Sequence, residues 1–271
     1  MLKSSVLVVA HPDDEILWFS SIVKRVDHIV ICFLEIGGNP IASEGRARAL
    51  QEFPLKQITV LGIKEAGVYD PVDWMRPKPS EVGLALRKEE RGSHREATYM
   101  RNYGELTARL RKLLANYKNV ITHNPWGEYG NAEHVQVYRA IKDVQVKLGF
   151  NVWISNYCSN KSFRLMESYI TGYRSNYVTL ATDKAFAAEV CNLYKRNHCW
   201  TWYDDFEWFN DESFIQDNGM EHCSVGRGHF FPLNVVRMEL PNNTNVQRGR
   251  RARLLRLLAR ILRLPEPRSD M

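Results

Sequence analysis

Residues 6–15 read VLVVAHPDDE, a stretch that joins a core strand to a cluster of ionisable groups. Val6, Leu7, Val8 and Val9 form an unbroken apolar run. That is the pattern of a strand buried on both faces of a parallel sheet, not the alternation of a half-exposed one. The run ends in His11, Asp13, Asp14 and Glu15, with Pro12 fixing the turn. Carboxylates crowded at the end of a core strand repel one another unless a cation joins them, and a divalent metal does so. Acids at a helix N-terminus complement its dipole. That reading accounts for Asp13, Asp14 and Glu15, but for neither His11 nor Pro12.

Outward from this stretch the pattern alternates. Ile16, Leu17, Phe19, Ile22 and Val23 stand at helical spacing up to about Arg25. Residues 28–34 (HIVICFL) predict a second strand, closed by EIGGNP. Residues 43–53 predict a helix bearing Arg46 and Arg48 and ended by Pro54. Residues 57–61 predict a third strand. Strand and helix in alternation give βαβ units and a parallel sheet with right-handed crossovers. Residues 67–95, with Pro71, Pro77 and Pro79, read as an inserted loop and a candidate lid. A helix over 99–117 places Leu106, Leu110, Leu113 and Leu114 inside, and NVIT at 119–122 is a fourth strand that stops at His123. A helix over 132–147, a strand over 152–155 and a helix over 184–197 follow. Residues 200–211 mix aromatics with Asp204, Asp205, Glu207 and Asp211, which suits a packed layer more than a sugar-stacking surface.

With 271 residues, 44% hydrophobic and 25% charged, the chain can bury a large core as one domain with an elaborated C-terminal part. No apolar run approaches the roughly 18–20 residues that cross a bilayer. MLKSS leads straight into the first strand, so the expectation is a cytoplasmic protein without a secretion signal. Five cysteines without CxxC spacing read as reduced thiols. The net charge of +6 lies wholly in residues 248–271, where eight arginines face Glu266 and Asp270. The neutral remainder argues against a broad nucleic-acid-binding surface. Within the tail, Leu254, Leu258, Ile261 and Leu262 line one helical face among arginines. Such a helix suits an anionic membrane surface. The alternative is docking on its own domain or on a second subunit. Residues 241–245 (PNNTN) read as a linker, dividing the chain into a domain of 1–240 and a tail of 241–271.

A second chemical stretch, HNPWGEYGNAEH at 123–134, follows the fourth strand. All strands of a parallel sheet end on one edge, where ligands bind. The two clusters can therefore meet although more than a hundred residues separate them. One imidazole and one carboxylate from the first, with one imidazole from the second, make a three-ligand site with an open position, the arrangement of catalytic zinc. A further carboxylate outside the metal's shell would serve as general base.

VAHPDDE resembles the signature of the PIG-L/LmbE-like superfamily of zinc-dependent N-deacetylases. YGNAEH is similar to that family's downstream motif, which usually reads Y/A-G/H-H-P-D-H. The resemblance covers residues 4–155. It implies a Rossmann-like α/β layer with helices on both faces, followed here by an elaborated C-terminal part and the amphipathic helix. It also implies removal of acetyl groups from N-acetylglucosamine-type sugars. Position by position it implies His11, Asp14 and His134 as Zn2+ ligands and Asp13 as general base. Tyr129 becomes the oxyanion donor, and Arg46 and Glu128 become substrate-binding residues. Glu15 is left as a helix-start or supporting carboxylate.

The departure is Asn131, where the family has a histidine. Asn donates to an oxyanion, but holds no proton for the leaving amine, and loss of such an acid costs about 10²–10⁴ in rate. The proton would then come from His123, His222, His229 or Asp13. The tail points to a lipid-linked substrate, such as a glycolipid or a lipopolysaccharide precursor. Two rival readings follow. One is a non-catalytic metal- or sugar-binding member of the fold. The other is a methyltransferase-like Rossmann enzyme, which needs a Gly-rich loop where HPDDE stands. A His/Asp/His set also accepts iron or cobalt.

Overall fold

The computed structural model describes residues 1–170, 176–217 and 231–238. In chain order the strands are β1 (Ser5–Val9), β2 (His28–Glu35), β3 (Ile58–Lys64), β4 (Pro79–Ser80), β5 (Gly83–Leu84), β6 (Asn119–Thr122), β7 (Asn151–Ser155), β8 (Tyr157–Ser159), β9 (Tyr177–Ala181), β10 (Asp211–Asp217) and β11 (Asn234–Val236). The helices are α1 (Asp14–Leu17), α2 (Pro40–Gln51), α3 (His94–Leu113), α4 (Ala132–Leu148), α5 (Phe163–Ile170) and α6 (Lys184–Arg196). Seven strands form one sheet in the order β3-β2-β1-β6-β7-β10-β9. The chain separates into a unit of Met1–Arg237 and a second of Met238–Met271. The tail helix and residues 218–230, with His222 and His229, lie outside the described residues.

The unbroken apolar run of β1 has its reason in this order. β1 pairs in parallel with β2 on one side and β6 on the other, and all five of its residues are buried. The strand order reverses between β1 and β6, which is where open α/β sheets bind ligands. The parallel expectation holds for β3, β2, β1, β6 and β7. The far side differs, because β10 runs antiparallel to both β7 and β9.

Element bounds differ for local reasons. α1 ends at Leu17, not near Arg25. Residues 11–23 are all buried, so the segment has no polar face to turn outward and passes through the core as a series of turns. α2 starts at Pro40, earlier than expected, because Asn39 caps it and proline suits the first helical position. α3 likewise starts at His94. Ser93 Oγ accepts from Glu96 N–H at 3.1 Å and Glu96 Oε2 accepts from Gly92 N–H at 2.6 Å, in the manner of a capping box.

The expected lid of 67–95 is a packed wall. It carries the β4–β5 hairpin, and its Val68, Val72, Trp74 and Leu84 are buried. At Gly83, φ is +136° and the Tyr99 hydroxyl occupies the space a Cβ would need. The four described cysteines are buried and unpaired. Among the described residues, no helix is long and apolar enough to cross a membrane.

Candidate metal centre

The chain turns sharply after β1. Asp13 sits at φ +104°, a region that costs a non-glycine residue about 1–3 kcal/mol and survives only where the surroundings enforce it. Several bonds do so here. Asp13 N–H donates to Glu15 Oε2 at 2.9 Å, and Glu15 Oε1 accepts from the Tyr194 hydroxyl at 2.7 Å. The Ile16 and Leu17 amides donate to the Asp13 carbonyl at 3.1 and 3.0 Å. His11 N–H donates to Asp14 Oδ2 at 2.7 Å. Glu15 thus ties the turn, and burial pushes its carboxyl up to about 8.

The second element comes from beyond β6. Glu128, also at positive φ (+48°), is fully buried. Its Oε1 accepts from Asn124 N–H at 2.9 Å and Ser155 Oγ at 2.5 Å. Its Oε2 faces His123 Nδ1 at 3.1 Å and His134 Nδ1 at 2.8 Å. Burial opposes ionisation, yet the neighbouring His123 and His134 bring Glu128 down to about 2. Asn131 caps α4 by accepting from Glu133 N–H at 2.9 Å, which places Glu133 and His134 in the first turn of the helix.

Asp14 lies among three imidazoles, with His123 Nε2 3.4 Å from its Oδ2. His11 Nδ1 is 3.3 Å from Asp14 Oδ2, and His134 Nε2 is 3.2 Å from Asp14 Oδ1. Each ring is anchored at its other nitrogen by a carboxylate: His11 Nε2 by Glu133 Oε2 at 3.0 Å, and His134 Nδ1 by Glu128. Glu133 is itself held, since its Oε1 accepts from Ala66 N–H at 2.6 Å. Carboxylate–histidine pairs of this kind orient metal ligands. The ligand atoms of His11, Asp14 and His134 lie within 4.8 Å of one another. His134 Nε2 is buried and makes no hydrogen bond. An unpartnered imidazole nitrogen facing a carboxylate is costly by itself and is what a divalent cation would satisfy. Two nitrogens and one oxygen suit Zn2+, and iron or cobalt as well. Burial would raise Asp14, but the neighbouring His134 overcomes it and holds its carboxyl well below the usual range.

His123 has a different part. Its Nε2 accepts from Ala10 N–H at 2.8 Å and its Nδ1 faces Glu128. The Ala10 amide hydrogen fills the Nε2 lone pair, so Nε2 carries no proton. The ring is therefore neutral, with its hydrogen on Nδ1 toward Glu128. It locks β1 to β6 beneath the centre.

Asp13 lies beside the ligands, with Oδ2 accepting from Thr201 Oγ1 at 2.7 Å. Burial and then Asp14 raise it to about 7, against the pull of Arg46. Arg46 is buried and donates from Nη1 to Glu65 Oε1 at 2.5 Å. The Tyr129 ring stacks on Trp18 at 5.5 Å and meets Trp202 edge-on at 4.7 Å and His134 at 5.3 Å. Burial pushes its phenol well above the ordinary range. Tyr129 Oη accepts from Asn131 Nδ2 at 2.8 Å, which leaves its own hydrogen for another acceptor.

The structure thus gathers His11, Asp14, His134, Asp13 and Tyr129 at the switch point. Two residues are placed otherwise than expected. Glu128 is turned toward two imidazoles and away from any substrate, because four donors surround it. Asn131 is occupied by the helix cap and by Tyr129. Arg46 reaches the site through its pair with Glu65. Glu65 and Thr201 were not read from the sequence. Glu65 had a signal, since an acid directly after a parallel strand lies on the ligand edge. Thr201 had none, arriving from an aromatic segment 188 residues away from its partner.

No family model and no curated protein matches the chain. Solved structures similar to it include deacetylases. One is the zinc-inhibited form of teicoplanin deacetylase Orf2, with 11% identity, covering 79% of this chain and 99% of that one, at a TM-score of 0.49. A deacetylase–teicoplanin complex has the same identity and coverage at 0.46. The A40926 pseudoaglycone deacetylase Dbv21 has 12% identity over 80% and 97%, at 0.38.

Proposed function

We propose that the chain is a metal-dependent N-deacetylase that hydrolyses the acetamide of an N-acetylglucosamine-type sugar. One observation carries the reading. His11 Nδ1 and the unpartnered His134 Nε2 face Asp14 while carboxylates hold their far nitrogens, and Asp13 stands alongside without a place in that set. His11, Asp14 and His134 would hold the metal, which supplies acidified water and polarises the amide carbonyl.

The remaining steps belong to the chain. Asp13 takes the proton of the attacking water as its oxygen bonds to the acetyl carbon. The Thr201 hydroxyl occupies Oδ2, so Oδ1 is the oxygen left for that proton. The Tyr129 hydroxyl donates to the carbonyl oxygen as it becomes an oxyanion. The C–N bond then breaks, and Asp13 returns its proton to the nitrogen, giving an amine and acetic acid, whose remaining proton passes to the amine to leave acetate and an ammonium. Asp13 does this because Asn131, bound on both sides, has no proton to give. The arginine-rich tail supports a lipid-linked sugar as substrate, with the chain held against an anionic membrane. Deleting residues 248–271 without changing co-sedimentation with anionic vesicles would refute that part.

The experiment is acetate release from N-acetylated amino sugars by the zinc-loaded chain and by Asp13→Asn. The variant should bind zinc like the native chain and lose about 10²–10⁴ in rate, the usual worth of a general base. Zinc binding without release from any such sugar would favour the non-catalytic reading that Asn131 motivates.

A further inference from the structure

A cleft of about 300 Å³ lies at the ends of β2 and β3 and the start of α3, lined by Lys64, His94, Arg95, Thr98 and Arg101 with Glu65. That volume is at the small end of the roughly 300–1,000 Å³ typical of small-molecule sites. Its charge is unbalanced. Glu65 is taken by Arg46 at 2.5 Å, Glu90 by Arg95 at 3.3 Å, and Glu96 by the Gly92 amide at 2.6 Å. Among the described residues no carboxylate pairs with Lys64 or Arg101, and Arg101 Nη2 reaches the Thr98 hydroxyl at 3.4 Å. Lys64 and Arg101 thus line the cleft without a carboxylate partner, beside the paired Arg95, and an anion would join them. The first turn of α3 adds its positive dipole end. Arginine forks match phosphate oxygens two at a time, and lysine adds a point charge.

The cleft also adjoins the metal centre. Residues 65 and 66 are a wall common to both. Glu65 Oε1 is 3.8 Å from His11 Nε2, and Ala66 N–H holds Glu133, the carboxylate that orients His11. We propose that this cleft binds a phosphate carried by the amino-sugar substrate, so that the enzyme acts on phosphorylated rather than neutral N-acetyl sugars. The proposal rests on the deacetylase reading and narrows its substrate class. The phosphate could belong to a sugar 1-phosphate, a nucleoside diphosphate sugar or a lipid diphosphate sugar, which share this chemistry.

The test measures binding, not turnover. Zinc-loaded Asp13→Asn of the full chain is titrated calorimetrically with N-acetylglucosamine, its 1-phosphate, its nucleoside diphosphate conjugate and a short-chain lipid diphosphate conjugate. At least one phosphorylated form should bind tenfold or more tightly than the neutral sugar, and the tightest of them identifies the source. Lys64→Glu with Arg101→Glu should erase that preference and leave the neutral sugar's affinity unchanged. Both side chains are exposed, so the melting temperature should hold. Arg101→Gln, which should lose most of the preference, keeps the test intact if the double variant misfolds. Equal affinities for all four ligands, or a preference that survives the substitutions, would overturn the proposal. Acetate release by the native chain is scored separately, so a failed phosphate site and a failed deacetylase give different results.

Discussion

Glu128→Gln separates two roles for a residue that the sequence assigned to substrate. In the structure all four approaches to its carboxylate are donors: Asn124 N–H and Ser155 Oγ on one oxygen, the Nδ1 atoms of His123 and His134 on the other. Glutamine keeps the shape but brings an NH2 group of its own. Placed toward the imidazoles, it removes the acceptor from His134 Nδ1. Placed toward Asn124, it meets a backbone N–H head-on. In either orientation the charge that steadies the His134 tautomer is gone. A hydrogen bond to a charged group is worth about 1.5–3 kcal/mol, and about 1.4 kcal/mol is tenfold in an equilibrium. The zinc Kd should therefore rise about 10–100-fold, which is also the usual loss when an outer-shell partner is removed. The assay is competition with a chromophoric zinc chelator, run beside circular dichroism to confirm folding. A folded Glu128→Gln with native zinc affinity and a raised KM would refute the positioning role and restore the substrate assignment.

Three further outcomes follow from single contacts. Thr201→Val should lower kcat about tenfold at unchanged zinc affinity, because the lost bond steadies Asp13 and not a ligand, and Thr201→Ser should recover most of it. Gly83→Ala should lower stability by 2 kcal/mol or more, measured by urea unfolding, since it puts a Cβ at φ +136° against the Tyr99 hydroxyl. Asn131→Asp should keep the α4 cap and the melting temperature, yet draw the Tyr129 O–H toward its new carboxylate oxygen. Losing that donor should cost about 10²–10³ in kcat, and an unchanged rate would remove Tyr129 from the oxyanion's side.

How much of this was legible depended on where each signal lay along the chain. β1, β2 and β6 are buried on both sides and announce themselves as apolar runs, and parallel topology then brings their ends to one edge. That suffices to bring His11, Asp14 and His134 together. The antiparallel pair β10 and β9 stayed hidden. In β9 no residue is buried and half-buried positions only alternate with exposed ones, and β10 carries Asp211, Glu212 and Asp217, with Glu212 buried among Ser20, Ser21 and Tyr157. The helix read over 16–25 failed for the opposite reason. Apolar spacing implies a buried stripe, but residues 16–23 are buried all round, and periodicity cannot tell the two apart. Contacts made by long-range arrival, such as Thr201 on Asp13 and Tyr194 on Glu15, leave no local pattern.

Asn131 looked like a loss and is better described as an exchange. An N-cap needs a short side chain whose oxygen can reach the N–H two or three residues on, and asparagine ranks among the best, whereas histidine is not among the preferred caps. Here the capped turn carries both Glu133, which orients His11, and His134. One residue therefore orders two of the three side chains that would hold the metal, and its amide nitrogen aims Tyr129 as well. In the proposed deacetylation, the proton for the departing nitrogen then has to come from a group already in the reaction. Asp13 qualifies on balance, since it gains one proton from water and the departing nitrogen requires one. Burial and Asp14 favour its protonated form, while Arg46 and a bound dication favour release. A carboxyl held between those opposing influences can take a proton and hand it on, because the amine that forms is far more basic than either.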